Sequence, residues 1–234
     1  MLDLYELLYR DLRELRNLRN EKPGIHVKPS EDAIAYVKKA ILELGSIEPK
    51  ASEVLKFSDV IYSMMPVVNK DNSIRYEYAP MLANKNEKAD VREHIRRFEN
   101  FSLDNLPLIE VAKYLGIEVE KTNILEVWGR YRHRERKITL GTDYEPVFIH
   151  ELAHAIDHYS DNLVTESAFM ELVAESSVVV LCKYYNIQND PSASKDYLLY
   201  YAKYCFADPS DIFRHVAKIF ETVKFIKRDI TNGR

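Results

Sequence analysis

Residues 147–159 read VFIHELAHAIDHY, and His150, Glu151 and His154 form an H-E-x-x-H pattern within them. The apolar residues around the pattern predict a buried helix; they are Ile149, Leu152, Ala153 and Ile156. On a helix, side chains four positions apart lie on one face about 6 Å from each other, so both imidazoles can reach one Zn²⁺. Glu151 would then lie beside the open coordination position as general base.

A third protein ligand is expected from the next helical segment, residues 165–185. There Glu171, Glu175, Val178 and Cys182 fall on a single stripe. Carboxylates on an apolar face need a partner such as a metal ion or a histidine N–H. We predict that Glu171 is the third metal ligand and that Glu175 accepts the other N–H of a ligating histidine, although the two roles could be exchanged. The alternative is a helix with two solvated glutamates and two core histidines.

The rest of the chain predicts a helix-dominated α+β fold, because glycine is scarce, with 6 in 234 residues. A short strand should follow Gly116, and two more, joined by a turn near 133–135, should form a small antiparallel sheet beside the H-E-x-x-H helix. Residues 67–80 could be a hairpin or a loop. Helices are predicted in the first 20 residues and over 30–45, 51–65, 84–99, 106–116, 145–159, 165–185, 192–206 and 209–228.

The charged stretch 84–99 is the best candidate for a domain boundary. We therefore divide the chain into a helical N-terminal region, 1–100, for substrate or partner recruitment, and a second domain, 101–234, that contains the predicted metal site. The formal charge of −4, from 33 basic and 37 acidic residues, argues against coating of nucleic acid or anionic membrane. No apolar run approaches the roughly 18 residues of a membrane span.

A cytoplasmic protein is expected, because the first 20 residues carry acids and arginines where a signal peptide needs an apolar run. Cys182 and Cys205 lack a CxxC pairing, which favours reduced thiols over a disulfide.

One segment, residues 130–137, is densely basic. Its cationic or titratable members are Arg130, Arg132, His133, Arg134, Arg136 and Lys137. It could hold an extended, acidic peptide by β-augmentation, contact the phosphates of a nucleic acid, or simply be a solvated hairpin tip. The oxyanion of a peptidase reaction also needs a donor. The candidates are Tyr131, Tyr159, Tyr197, Tyr200, Tyr201, Tyr204 and His215.

Several of these stretches together resemble the C-terminal zincin-like metallopeptidase domain of ArdC-type antirestriction proteins and, more distantly, ImmA/IrrE peptidases. They are 129–131, 138–140, 148–154, 171–175 and 181–182, and the resemblance extends over residues 102–228. It implies that His150, His154 and Glu171 bind the metal and that Glu151 is catalytic.

The function predicted from these features is that of a zinc-dependent metalloendopeptidase, a hydrolase of the gluzincin type acting on a protein or peptide substrate. The resemblance also points to a mobile element as the source of such a protein. One alternative is a non-catalytic antirestriction module that binds single-stranded nucleic acid and has a structural zinc. Another is an ImmA-like protease that cleaves a single repressor.

Overall fold

A computed structural model describes residues 27–45, 60–68, 74–82, 97–122, 128–159 and 167–233 of the chain. Six α-helices lie within these ranges: α1 Glu31–Gly45, α2 Ile109–Tyr114, α3 Glu145–Tyr159, α4 Ser167–Tyr185, α5 Pro191–Ala202 and α6 Pro209–Thr231. The strands there are β1 Val60–Val68, β2 Ile74–Leu82, β3 Glu118–Lys121, β4 Gly129–Arg132 and β5 Lys137–Leu140. A 3₁₀ turn spans Leu103–Asn105, and residues 97–100 are helical. The protein is therefore a helix-dominated α+β protein.

Strands β3, β4 and β5 form a mixed sheet in the order β3-β5-β4. Strand β4 runs antiparallel to β5, with Tyr131 opposite Ile138, as the predicted hairpin requires. Strand β3 runs parallel to β5, with Val119 opposite the same Ile138. The predicted antiparallel hairpin is confirmed by β4 and β5, but β3 adds to β5 in parallel, so the sheet is mixed rather than antiparallel, with β4 at an edge among the described residues.

The predicted helix over 51–65 is contradicted from residue 60 onward. Strands β1 and β2 form an antiparallel hairpin that pairs Val60 with Leu82 and Val68 with Ile74. Four β-branched residues, Val60, Ile61, Val67 and Val68, favour a strand, and the partner that stabilises it lies beyond the window in which helical periodicity is read. Of the two alternatives for 67–80, the hairpin is the one observed, and the N-terminal region is not purely helical. Residues 1–26, 51–59 and 84–96, where other helices were predicted, lie outside the described residues.

Helix α4 lies at the centre of the core and packs against α1, α3, α5 and α6. A helix enclosed in this way must be apolar around most of its circumference. The fully buried side chains of the core come mainly from three helices; they include Phe148, Ile149, Leu152 and Ile156 of α3, Phe169, Val173, Val178 and Leu181 of α4, and Ile219, Val223 and Ile226 of α6. The core thus fixes the relative positions of α3 and α4, which present the candidate site.

Helix α1 shares this core, since Ala33, Val37 and Ala40 are buried and belong to the same cluster as the side chains of α4 and α6. The Ser30 hydroxyl begins the helix by accepting a hydrogen bond from the backbone N–H of Ala33, at 3.2 Å. The division of the chain near residue 100 stays a prediction.

The bounds of α3 match the predicted 145–159, and those of α4 and α6 agree to within three residues. Helix α5 ends at Ala202, four residues earlier than predicted. Helices α5 and α6 each begin with an aspartate cap followed by a proline, Asp190-Pro191 and Asp208-Pro209, a combination typical of helix starts.

Cys182 is buried and Cys205 half-buried, and both are free thiols, as predicted. Within the described ranges, no helix combines the length and the apolar character that a membrane crossing requires.

Candidate metal centre

Helix α3 presents two imidazoles on one face while its other faces are buried. The side chains of Phe148, Ile149, Leu152 and Ile156 are fully enclosed by the core. His150 and His154 lie one turn apart, with ring centroids 4.8 Å from each other and rings nearly perpendicular. The Nε2 atoms of the two rings are 3.1 Å apart. The i, i+4 spacing therefore brings both ring nitrogens to one point.

Glu171 of α4 brings its carboxylate to the same point. Its Oε2 atom lies 3.2 Å from His150 Nε2, and its Oε1 atom lies 3.6 Å from His154 Nε2. His150, His154 and Glu171 form a cluster whose ligand atoms lie within 4.8 Å of one another. All three side chains are largely buried, with 13%, 19% and 23% of their surface exposed.

The spacing of these atoms fits a zinc ion. Zn²⁺ binds imidazole nitrogen and carboxylate oxygen at about 2.0–2.2 Å, so two ligand atoms of a tetrahedral site lie about 3.3 Å apart. The observed separations of 3.1, 3.2 and 3.6 Å bracket that value. Two imidazoles and one carboxylate are a donor set that zinc commonly takes in catalytic sites. The three residues are therefore a candidate metal site.

Glu175, one turn further along α4, lies on the far side of His150. Its Oε2 atom accepts a hydrogen bond from His150 Nδ1 at 3.0 Å. A ligating histidine commonly donates its second N–H to a carboxylate, which fixes the tautomer and the ring orientation. The sequence left the roles of Glu171 and Glu175 exchangeable, and these distances favour Glu171 as the ligand.

The metal-free site has the electrostatics of a cation site. Burial acts to lower the pKa of His150, but the hydrogen bonds to Glu171 and Glu175 outweigh it and raise the pKa to about 10. Burial acts to raise the pKa of Glu171, yet the hydrogen bonds from His150, His154 and Tyr197 hold it well below its usual range. Without a metal, the two carboxylates therefore keep a positive charge on His150. A divalent cation at the same point would take over that charge balance.

Glu151 lies between α3 and strand β4. The side chain is only 9% exposed, and burial raises its pKa, while the nearby rings of His150 and His154 act to lower it. Its carboxylate also accepts a hydrogen bond from the backbone N–H of Tyr131. Strand β4 approaches closely, because a Cβ atom at Gly129 would lie 2.9 Å from both Cγ and Oε1 of Glu151. Because Gly129 has no side chain, the strand can lie against the Glu151 carboxylate, and the backbone N–H of Tyr131 then holds that carboxylate by a hydrogen bond.

A cavity of about 440 Å³ opens over the cluster. Its walls come from α3, α4, α5 and the β4 hairpin. They are formed by Gly129, Arg130, Tyr131, His133, His150, Glu151, His154, His158, Met170, Glu171 and Tyr197. The two histidines, Glu171 and Glu151 therefore face one shared space that is large enough for part of a substrate.

Tyr197 of α5 connects to the site in a way that the sequence did not specify. Its hydroxyl donates to Glu171 Oε2 at 2.6 Å, and its ring meets the His150 ring edge-on, with centroids 5.6 Å apart. Burial, together with the hydrogen bond to Glu171, raises the pKa of Tyr197, so the phenol stays protonated and able to donate. The sequence named Tyr197 as one of several oxyanion donors, and no local signal distinguished it from the tyrosines that follow.

The other proposed oxyanion donors are dispersed. Tyr131 lines the cavity with Tyr197, whereas Tyr200, Tyr201 and Tyr204 are not among its lining residues. The side chain of Tyr159 lies outside the described residues.

His215 of α6 is not among the cavity's lining residues either, and it pairs instead with Asp157 on α3, with Nδ1 and Oδ1 3.1 Å apart. The ring of His158 lies beside those of Tyr131 and His133, with centroids 6.1 and 5.4 Å away.

The basic segment 130–137 is partly neutralised by acidic neighbours. Arg132 pairs with Glu120 at 3.1 Å and with Glu135 at 3.0 Å, and Lys137 pairs with Glu120 at 3.0 Å and with Glu118 at 3.4 Å. Arg132 and Lys137, two of the six basic or titratable residues of the segment, thus pair with acidic side chains of the sheet and its turn.

Comparison with known proteins adds one finding. No protein-family model matches the chain, and no curated protein matches it. Among solved structures, the chain is similar to the metal-free crystal structure of the antirestriction protein ArdC from plasmid R388. The two sequences are 14% identical, the match covers 75% of this chain and 70% of that one, and the TM-score is 0.36. Similarity at this level says nothing about the function of this chain, so the candidate metal site depends on its own geometry alone. The resemblance to a peptidase domain stays a prediction.

Proposed function

We propose that this protein is a zinc-dependent metallopeptidase whose metal is held by His150, His154 and Glu171. One observation carries the proposal: the three ligand atoms and the Glu151 carboxylate line a single cavity of about 440 Å³. A structural zinc is normally enclosed by four protein ligands, whereas a catalytic zinc has three and keeps one position open. Within the described residues, the cluster offers three ligand side chains, the number that the second form requires.

Each residue of the site would have a distinct role in peptide hydrolysis. A metal held by His150, His154 and Glu171 would supply a Lewis acid that polarises the scissile carbonyl and lowers the pKa of water. The Glu151 carboxylate accepts a proton from the attacking water and later donates that proton to the leaving amine. The backbone N–H of Tyr131 orients that carboxylate. Glu175 fixes the ring of His150 through Nδ1.

Strand β4 supplies a place for an extended substrate. Among the residues that the structure describes, it pairs with β5 only and is an edge of the three-stranded sheet, and its residues Gly129, Arg130 and Tyr131 line the cavity. A peptide that added to this edge would form main-chain hydrogen bonds with groups of β4 other than the Tyr131 N–H, which donates to Glu151. We propose a protein or peptide substrate on this ground.

The test combines metal content with proteolysis. Wild-type protein purified without chelator should contain about one zinc per chain by elemental analysis, and His154→Ala and Glu171→Ala should lose it. His133→Ala is the matched control, since His133 lines the same cavity but is not part of the cluster. That variant should retain the metal.

Glu151→Gln should keep its zinc and lose cleavage of unfolded casein by at least about a hundredfold, the scale expected for a general base. Equal cleavage by wild type and Glu151→Gln would contradict the peptidase proposal. Zinc bound with no cleavage under any condition would instead favour a non-catalytic module. A wild type that binds no zinc even when zinc is supplied would contradict the metal site itself.

A further inference from the structure

A row of aromatic rings runs along α5 and begins at the metal centre. Tyr197, its first member, donates to Glu171 and meets the ring of His150. The ring of Tyr201 lies 4.9 Å from that of Tyr197, centroid to centroid. The two residues are one helical turn apart, so the row follows one side of the helix.

The row continues to the protein surface. The ring of Tyr200 lies 5.1 Å from Tyr201, and that of Tyr204 lies 5.5 Å from Tyr200. Tyr200 and Tyr204 are 53% and 56% exposed, and Phe206, just beyond the helix, is 92% exposed. We call Tyr197, Tyr200, Tyr201 and Tyr204 the tyrosine row. Contiguous exposed aromatic side chains are uncommon on a protein surface and typically mark an interaction site.

Charge around the row selects the kind of partner. Residues 190–214 contain three cations, Lys195, Lys203 and Arg214, and four aspartates, Asp190, Asp196, Asp208 and Asp211, of which Asp211 pairs with Arg214 at 3.0 Å. Lys195 also donates to the backbone carbonyl of Gly45, at 3.3 Å. Binding of single-stranded nucleic acid needs cations that follow the phosphates beside the stacking rings. Because Lys195 donates to Gly45 and Arg214 pairs with Asp211, the exposed tyrosine rings suit the apolar side chains of a polypeptide better than a phosphate backbone.

We propose that the tyrosine row binds apolar or aromatic side chains of an extended substrate segment whose neighbouring residues occupy the cavity. This inference rests on the proposed function, since it assigns a substrate class to the same site. Successive ring centroids along the row are 4.9, 5.1 and 5.5 Å apart, so about five residues of an extended peptide, at about 3.3 Å each, can span it. The row therefore contacts side chains within about five residues of the bond that is cleaved.

The test measures binding with a chemically inert protein, so that it does not depend on turnover. Zinc-loaded Glu151→Gln is applied to an array of overlapping 12-residue segments of β-casein. The same protein carrying Tyr200→Ala and Tyr204→Ala is compared with it. The matched control carries Leu42→Ala and Ile230→Ala, which remove two exposed apolar side chains from other helices.

Binding to segments rich in aromatic and large aliphatic residues should fall about tenfold or more in the tyrosine variant, the effect expected for interface tyrosines. The control should bind as the parent does. Equal binding by parent and tyrosine variant, or no segment bound at all, would overturn the proposal. A loss seen only for a labelled 20-residue oligothymidine, measured in parallel, would overturn it in favour of nucleic acid.

The two proposals fail separately. Array binding that depends on the tyrosines, together with equal casein cleavage by wild type and Glu151→Gln, would leave the docking surface in place without the peptidase. Cleavage that requires Glu151, with array binding indifferent to the tyrosines, would leave the peptidase in place without this subsite.

Discussion

Glu171 has neighbours that hold its carboxylate in place from three directions. His150, His154 and Tyr197 each make a hydrogen bond or a close approach to it, at 3.2, 3.6 and 2.6 Å. Glu175 and the ring of Tyr197 hold His150 in the same manner. The ligands therefore have their geometry before a metal arrives. Such preorganisation reduces the conformational entropy lost on binding.

The closest approach in the site gives a prediction for Gly129→Ala. The added Cβ would lie 2.6 Å from Val147 Cγ1 and 2.9 Å from Glu151 Cγ, so Glu151 or the strand must move. We expect a loss of about 1–3 kcal/mol in the free energy of unfolding. If Glu151 has the proposed role, a shift of 1 Å in its carboxylate should reduce the proposed peptidase activity about a hundredfold. Zinc content should not change, because none of the three ligands is touched.

The control for that experiment is Gly45→Ala, since an added Cβ at Gly45 meets nothing within 4 Å. Denaturant unfolding, elemental analysis and casein cleavage would be measured on both variants. Loss of zinc in Gly129→Ala, or activity equal to that of Gly45→Ala, would contradict the role assigned to the glycine.

Cys182 gives a prediction about pH. Burial, with smaller contributions from Glu175 and Glu145, raises the pKa of this thiol to about 12, whereas an unfolded cysteine titrates near 8.5. The folded state thus binds more protons than the unfolded state between these values, so this thiol's contribution to stability is complete below pH 8.5 and is lost as pH rises toward 12. At pH 8 only about one folded thiol in ten thousand is ionised.

We therefore expect Cys182 in a Cys205→Ser variant to resist a thiol reagent at pH 8 until the protein is unfolded. The complementary Cys182→Ser variant, which keeps the half-buried Cys205, is the comparison. Rapid stoichiometric labelling of native Cys205→Ser protein would show that Cys182 is not enclosed as described.

The sequence predicted most residues of the candidate site, but it did not predict the contact that Tyr197 makes there. His150, Glu151 and His154 form a local pattern, and the four-residue spacing of Glu171 and Glu175 places both on one helix face. The hydrogen bond of Tyr197 to Glu171 joins positions 26 residues apart, and nothing in the local sequence distinguishes Tyr197 from the five other tyrosines named as possible oxyanion donors. Contacts of this kind depend on how helices pack, which periodicity does not encode.

At the level of elements, α3 is anchored at both ends. Near its start, Asp143 pairs with Arg97 through two hydrogen bonds of 2.6 and 2.9 Å. Near its end, the buried Asp157 pairs with His215 of α6. The sequence showed no role for Asp157, because its partner lies 58 residues away. The pair joins the helix that presents the histidines to the last helix of the chain.

A double-mutant cycle would measure that anchor. Asp157→Ala and His215→Ala should each lower the free energy of unfolding by about 1–3 kcal/mol, since each leaves a buried polar partner behind. The coupling energy should be about 0.5–3 kcal/mol. The comparison pair is Asp211 and Arg214, whose side chains are 51% and 62% exposed and which should couple by less than about 0.5 kcal/mol. Equal coupling in the two cycles would contradict the anchoring role.

The elements themselves were predicted unevenly, for a physical reason. Helices α3, α4 and α6 carry long apolar periodicity or strong caps, and their bounds followed from the sequence to within three residues. Strand β1 was mistaken for the end of a helix, because its stabilising hydrogen bonds come from β2. The parallel pairing of β3 with β5 was missed because nothing in the four residues of β3 specifies the direction of its partner.

For the whole molecule, the candidate metal site joins α3 and α4 and reaches α5 through Tyr197. A ligand that binds only the folded state stabilises it by mass action. Zinc at one hundred times its dissociation constant should raise the free energy of unfolding by about 2.7 kcal/mol. For a chain of this length that corresponds to a rise of roughly 5–10 °C in Tm.

The rise should be abolished by a chelator and absent in His154→Ala, as measured by thermal unfolding at matched free zinc. His133→Ala should show the same rise as wild type. A rise of equal size in His154→Ala would mean that zinc stabilises the fold from another site.

Because helix α4 is enclosed by four other helices, it should be among the last segments of the protein to unfold locally. Segments of a native protein exchange their amide hydrogens with solvent at rates that reflect how much structure must open to expose them. The amides around Glu171 and Glu175 should then be among the slowest to exchange, well behind those of the short strands. Glu171 and Glu175 would stay in position through most partial unfolding events. Strand β4 would separate from the cavity before the residues of α4 do.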